Sequence, residues 1–102
     1  MRHTIAALLS LALASCAGSG ASMSDDVTLT PIGEAVQVTE NAESTQECEY
    51  ITELALPSRS PSDVNAIRTL RNQAGDVGAN LVLLVMETRT SVARAEGYLC
   101  GD

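Results

Sequence analysis

Residues 60–89, SPSDVNAIRTLRNQAGDVGANLVLLVMETR, constrain the fold of this chain more than any other stretch. They read as a capped amphipathic helix, a glycine stop and a hydrophobic strand. Ser60 suits an N-cap, because its hydroxyl can accept a bond from a free N–H of the first turn. Pro61 then falls at the first helical position, where its missing N–H costs nothing. Asp63 stands where a capping-box acid would and complements the helix dipole. Ala66, Ile67, Leu70, Ala74 and Val77 recur at spacings of three and four and form one apolar side. Asn65, Arg68, Thr69, Asn72 and Asp76 fall on the other. Gly78 suits the left-handed residue that ends many helices, and Gly75 offers an earlier stop. The LVLLVM run within residues 80–87 is apolar on both faces, as in a central strand covered on both sides. Hydrophobicity alone also permits a helix there. The short run of branched side chains just past a glycine favours a strand.

The flanking segments are shorter and more polar. Residues 27–33 read as an edge segment, kept from the sheet centre by Pro31. Residues 34–39 alternate, with Val36 and Val38 on one face, and predict a strand. Residues 41–46 are a polar turn. Residues 47–56, ECEYITELAL, are a second strand, with helix the alternative on their Glu and Leu content. Residues 57–61 form a loop and 88–91 a turn; residues 92–100, VARAEGYLC, are the last strand. The expected fold class is α+β: a small ββαββ antiparallel or mixed sheet with one helix packed on a face. The chain has no Phe or Trp and only two Tyr, so its core is aliphatic. A domain this small usually needs a staple.

The N-terminus reads as an export signal. Arg2 and His3 precede an apolar stretch at residues 5–14, shorter than the about 20 residues a membrane-spanning helix requires. Leu13-Ala14-Ser15-Cys16 then matches the bacterial lipobox: an apolar residue, small residues at the cleavage subsites, and a cysteine. That thiol accepts a diacylglycerol and its freed amine a further acyl chain, and several chains on one residue anchor stably where one is marginal. The expected organisation is a lipoprotein signal peptide at 1–15, lipidated Cys16 and a flexible tether at 16–26, and a compact α/β periplasmic domain at 27–102. The tether, AGSGASMSDD after Cys16, reaches at most about 35 Å. The alternative is an ordinary secretory signal cut near Ala14, with Cys16 left free. By the enteric sorting pattern, Ala17 after the lipidated cysteine implies the outer membrane.

Charge and composition narrow the partners. Thirteen acidic residues stand against six basic ones, for a net charge of −7. One of the six is Arg2 in the signal segment, and none is Lys. This balance argues against nucleic-acid binding, which needs a basic surface. It argues equally against lying flat on an anionic bilayer, and it also serves solubility. The single histidine is His3, in the signal segment. Ser58, Ser60, Ser62 and Ser91 have no identifiable base, and Glu47, Glu49 and Glu53 are spaced like solvated strand positions. No nucleophile, base and orienting group come together in the pattern, so the chain reads as non-enzymatic, without cofactor or metal site. No calcium-type loop is present.

Three cysteines are an odd number for an exported protein. Lipidation of Cys16 leaves Cys48, opening the second strand, and Cys100, closing the last. If those strands run antiparallel, a register with Cys48 opposite Cys100 also sets Tyr50 opposite Tyr98. An oxidising compartment favours a disulfide. Closing a loop of about 50 residues stabilises by about 4 kcal/mol in the chain-entropy model. A redox or metal role is the alternative, although a metal would need further ligands.

The lipobox, Cys48 ahead of the helix, residues 72–83 (NQAGDVGANLVL) and Cys100 after Tyr98-Leu99 resemble a family of small proteobacterial lipoproteins classed as a domain of unknown function. The motif Gly78-Ala79-Asn80 between helix and strand is also similar to that of the sensor lipoprotein of the Rcs envelope-stress phosphorelay and of the YbjQ-like proteins. The resemblance implies a compact α/β fold, a lipid anchor in the membrane, and an envelope protein partner in stress sensing or maintenance. Through the pentameric YbjQ-like proteins it also implies a homo-oligomer, in which a neighbouring subunit buries the strand at residues 81–86. The Rcs sensor differs in having four cysteines in two bridges and a longer, basic, proline-rich tether. The motif also has a structural reading beside that of a ligand site: Gly78 stops the helix, Ala79 fits a tight turn and Asn80 bonds local backbone. Arg68 and Arg71 are candidates to face a partner, or are solvated helix charges.

Overall fold

The computed structural model of the protein describes residues 26–101. They form α1 (Pro31–Glu34), β1 (Gln37–Thr39), a 3-10 turn (Ala42–Thr45), β2 (Glu49–Leu54), α2 (Val64–Asp76), β3 (Leu81–Thr88) and β4 (Ser91–Leu99). The strands make one mixed sheet in the order β1-β3-β4-β2. β1 runs parallel to β3, whereas β3–β4 and β2–β4 are antiparallel. This is the expected α+β fold, with α2 packed across one face. The expected signal peptide at 1–15, Cys16 and all of the expected tether but Asp26 lie outside the described residues.

The core is small and aliphatic. Leu70 and Ala74 of α2 meet Val82 and Leu84 of β3, Val92 and Ala95 of β4, Leu54 of β2, and Val36 just before β1. Val82, Ala74 and Ala95 are wholly buried. β3 is central and its first four residues are buried on both faces, which is why the sequence there does not alternate. The far face is covered in part by the 3-10 turn, which packs on β3.

Several boundaries differ from the sequence reading. The helix cap is Asp63 rather than Ser60: the Asp63 carboxylate accepts from Asn65 N and Ala66 N, both at 3.1 Å. Ser60 instead closes a turn one step earlier, its carbonyl accepting from Asp63 N at 3.2 Å, and its hydroxyl shares a hydrogen bond with Ser62. A charged acceptor holds two N–H groups more strongly than a hydroxyl holds one, so the helix starts at the acid. Residues 27–33 join no strand: the chain runs extended and then turns into α1, which Thr30 caps by accepting from Gly33 N. Glu34 belongs to α1, so the first strand begins at Gln37. The second strand is Glu49–Leu54, narrower than residues 47–56. Val77 is 45% exposed, because it caps the helix instead of facing the sheet. Gly75 does not stop the helix; a Cβ there would stand 2.6 Å from Ile32 Cγ2, so the glycine lets α1 pack closely on α2.

Candidate functional site

The Gly78-Ala79-Asn80 motif lies at the junction of α2, β3 and the end of β4. Gly78 has φ +87°, the left-handed conformation that reverses the chain out of the helix. Ala79 donates its N–H to Ala74 O at 2.8 Å and is buried against Gly97, where an added Cβ would stand 3.3 Å away. Asn80 is the structural centre of the motif. Its backbone N–H donates to Tyr98 O, and its carbonyl accepts from Gln37 N. Its side chain pairs with the backbone of Cys100: Nδ2 donates to Cys100 O and Oδ1 accepts from Cys100 N, each at 2.8 Å. The partner is thus twenty residues distant rather than local, and the Asn80 amide acts as one further rung of the sheet ladder.

Cys100 is joined to Cys48 by a disulfide, with Cα atoms 4.3 Å apart. Tyr50 lies opposite Tyr98, as the antiparallel register required. Their rings meet edge to face with centroids 5.6 Å apart. The strand alternation then places Glu96 and Arg94 on the same outer face as Tyr98. Tyr98 OH donates to Glu96 Oε1 at 2.8 Å, and Arg94 Nε donates to Glu96 Oε2 at 2.7 Å. Glu53 stands opposite Glu96 on β2. The bond from Arg94 holds the Glu96 carboxyl below the usual carboxylate range, aided by the Tyr98 hydroxyl. The same pairing raises the Arg94 guanidinium. Burial and the bond to Glu96 push the Tyr98 phenol up. The signal for this row in the sequence is the alternation of Arg94, Glu96 and Tyr98 along β4.

A shallow open groove of about 500 Å³ lies beside the motif, lined by Ala35, Gln37, Thr39, Ser44, Asn80 and Cys100. Its lining has no ionisable side chain, and the Asn80 amide spends one donor and one acceptor on Cys100. The motif therefore builds the fold at this point. Among the described residues, no three His, Cys, Asp or Glu side chains come together as a metal site, and no helix is long and apolar enough to cross a membrane.

Arg68 and Arg71 are half-buried, and each spends part of its guanidinium on the main chain of the preceding segment. Arg68 Nη1 donates to Val27 O at 3.2 Å; Arg71 donates to Val36 O at 2.9 Å and Glu34 O at 3.0 Å. Both hold the segment that leads into β1. Arg59 donates to Val92 O, and its ion pair with Glu87, at 3.6 Å, is exposed.

The geometry defines a disulfide-closed, single-sheet α+β domain whose outer face carries a tyrosine pair and a Tyr–Glu–Arg row. Comparison with family models, with curated proteins and with solved structures found no match.

Proposed function

We propose that the protein is a lipoprotein anchored through Cys16 in the outer membrane and facing the periplasm, where it serves as a non-enzymatic interaction module in envelope stress sensing or maintenance. The observation that carries this reading is the Cys48–Cys100 disulfide. It uses both cysteines of the folded domain, so the odd third cysteine is the one in the lipobox, Cys16. A disulfide also fits an oxidising compartment outside the cytoplasm. The surface offered to an envelope partner is the outer sheet face around Tyr50, which is 51% exposed. Exposed tyrosine beside an arginine is the composition enriched at protein interfaces.

Intact-mass analysis of the protein purified from bacterial membranes tests the anchor. The expected species begins at Cys16, carries acyl mass and gains two hydrogens on reduction. A chain without acyl mass at Cys16 would overturn the membrane assignment. Crosslinking from position 50, with Tyr50 replaced by a photoreactive phenylalanine, then tests the surface: a discrete adduct with an envelope protein is expected. Crosslinks only to a second copy of this chain would turn the reading to a homo-oligomer.

A further inference from the structure

The first described residues are attached to the domain in a way that sets them apart from the rest. Residues 27–35 lie along α2, and apart from Gly33 none of them is buried. Ile32, the largest apolar side chain of α1, is 59% exposed. What holds the segment is a ladder of α2 side chains on its main chain. Asn65 Oδ1 accepts from Val27 N at 2.9 Å, and Arg68 donates to Val27 O. Asn72 Nδ2 donates to Thr28 O at 2.9 Å, while Asn72 Oδ1 accepts from Thr30 N at 2.9 Å. Gly33 and Gly75 permit the close approach: a Cβ on Gly33 would collide with Asn72 Oδ1, and one on Gly75 with Ile32. The ladder ends at Val36, which is 2% exposed in the core, with Arg71 gripping its carbonyl.

We propose that residues 27–35 are a releasable strap, latched to α2 by main-chain hydrogen bonds and hinged at Val36. Segments held by solvent-accessible hydrogen bonds with little apolar burial open at much lower free energy than the core. The strap leaves the β1–β3 pairing, the core and the disulfide untouched when it peels, because all of these begin at or after Val36. It also lies between the membrane tether and the domain. Release adds about 30 Å of extended chain to a tether of about 35 Å, so the latch sets how far the domain reaches from the membrane. That consequence rests on the anchor at Cys16; the latch itself does not.

Amide hydrogen exchange on the full chain in detergent, read residue by residue by NMR, tests the strap. In the wild type, the Val27, Thr30, Gly33 and Glu34 amides are expected to be protected, yet to exchange at least about a hundredfold faster than Val82 and Ala95. Asn72→Ala should speed Val27, Gly33 and Glu34 by about tenfold, although none of these amides bonds Asn72, and leave Val82 and Ala95 unchanged. Gly33→Ala should do the same from the strap side, even though alanine ordinarily favours a helix over glycine. An unprotected strap in the wild type would overturn the latch. So would a change confined to Thr30, or a strap that opens only in step with the core, including in a variant that fails to fold. If Cys16 carries no acyl group but the strap amides behave as expected, the latch stands and the change in reach falls.

Discussion

Asn80 links three parts of the molecule, β1 and β4 through its backbone and the chain past β4 through its side chain. Its amide presents a donor and an acceptor in the geometry of a peptide group, and both are used by Cys100. Asn80→Ala removes both bonds and leaves the half-buried Cys100 backbone groups unpaired, at an expected cost of about 1–3 kcal/mol in urea unfolding of the oxidised protein. Asn80→Asp keeps the acceptor but sets a carboxylate oxygen against the Cys100 carbonyl. It should therefore be less stable at neutral pH than at a pH low enough to protonate it. A second residue with a defined signature is Glu96, whose carboxyl is held below its usual range by the bond from Arg94. A lowered folded-state pKa means that its stabilisation is present above the unfolded glutamate value of about 4.3 and is lost as pH falls through the lower folded value. Glu96→Gln should be less stable than wild type at pH 7, and the difference should shrink on acidification across that window. A constant difference across the window would assign Glu96 a role independent of its charge.

At the scale of elements, the first turn of α2 shows how a local choice is made. Ser60-Pro61 and Asp63 are both reasonable starts by residue preference. The carboxylate wins because it satisfies two orphan N–H groups at once. Asp63→Ala should lower stability by about 1 kcal/mol, whereas Ser60→Ala should cost only a few tenths; equal losses would put the helix start back at Ser60. Besides Asn65, which accepts from Val27, the same helix carries two amide side chains that both donate to and accept from other segments. Asn72 holds the strap, and Gln73 pairs with both backbone groups of Ala55, just past β2. With Asn80, three amides of one stretch each supply a donor and an acceptor to chain that would otherwise end a strand or strap unpaired. In the sequence these residues look like ordinary polar helix and turn positions. Their helical spacing was readable, but the backbone they bind lies 18 to 44 residues away.

For the whole molecule, the disulfide is the largest single constraint. It joins residues 52 apart in a domain whose core lacks Phe and Trp. Reduction should lower stability by about 4 kcal/mol in the chain-entropy model. For a domain of this size that corresponds to a fall of roughly 15–30 °C in the melting temperature, measured by circular dichroism with and without reductant. The strand order explains why the bridge matters. β2 sits at the sheet edge and pairs only with β4, so the disulfide fastens the start of β2 to the chain just past the end of its sole neighbour.

The sequence by itself pointed to the long helix, to the four strands and, through the cysteine and tyrosine spacing, to an antiparallel pairing of β2 with β4, but not to α1. Periodicity of 3.6 and 2, the glycine at position 78 and the alternation of Cys48 with Tyr50 and Tyr98 with Cys100 are local signals, and backbone sterics translate them directly. The run from Leu81 to Leu84 marked the central strand because a residue buried on either face must be apolar. Tertiary structure alone decided that β1 joins β3 in parallel, that residues 27–35 lie along α2, and that Arg68, Arg71, Asn72 and Asn80 bond main-chain carbonyls and amides of distant segments. These outcomes depend on which distant backbone groups remain unpaired once the sheet and helix have docked. A side chain that hydrogen-bonds the backbone leaves little signature in the partner's residue type, since every residue offers a carbonyl and nearly every one an N–H.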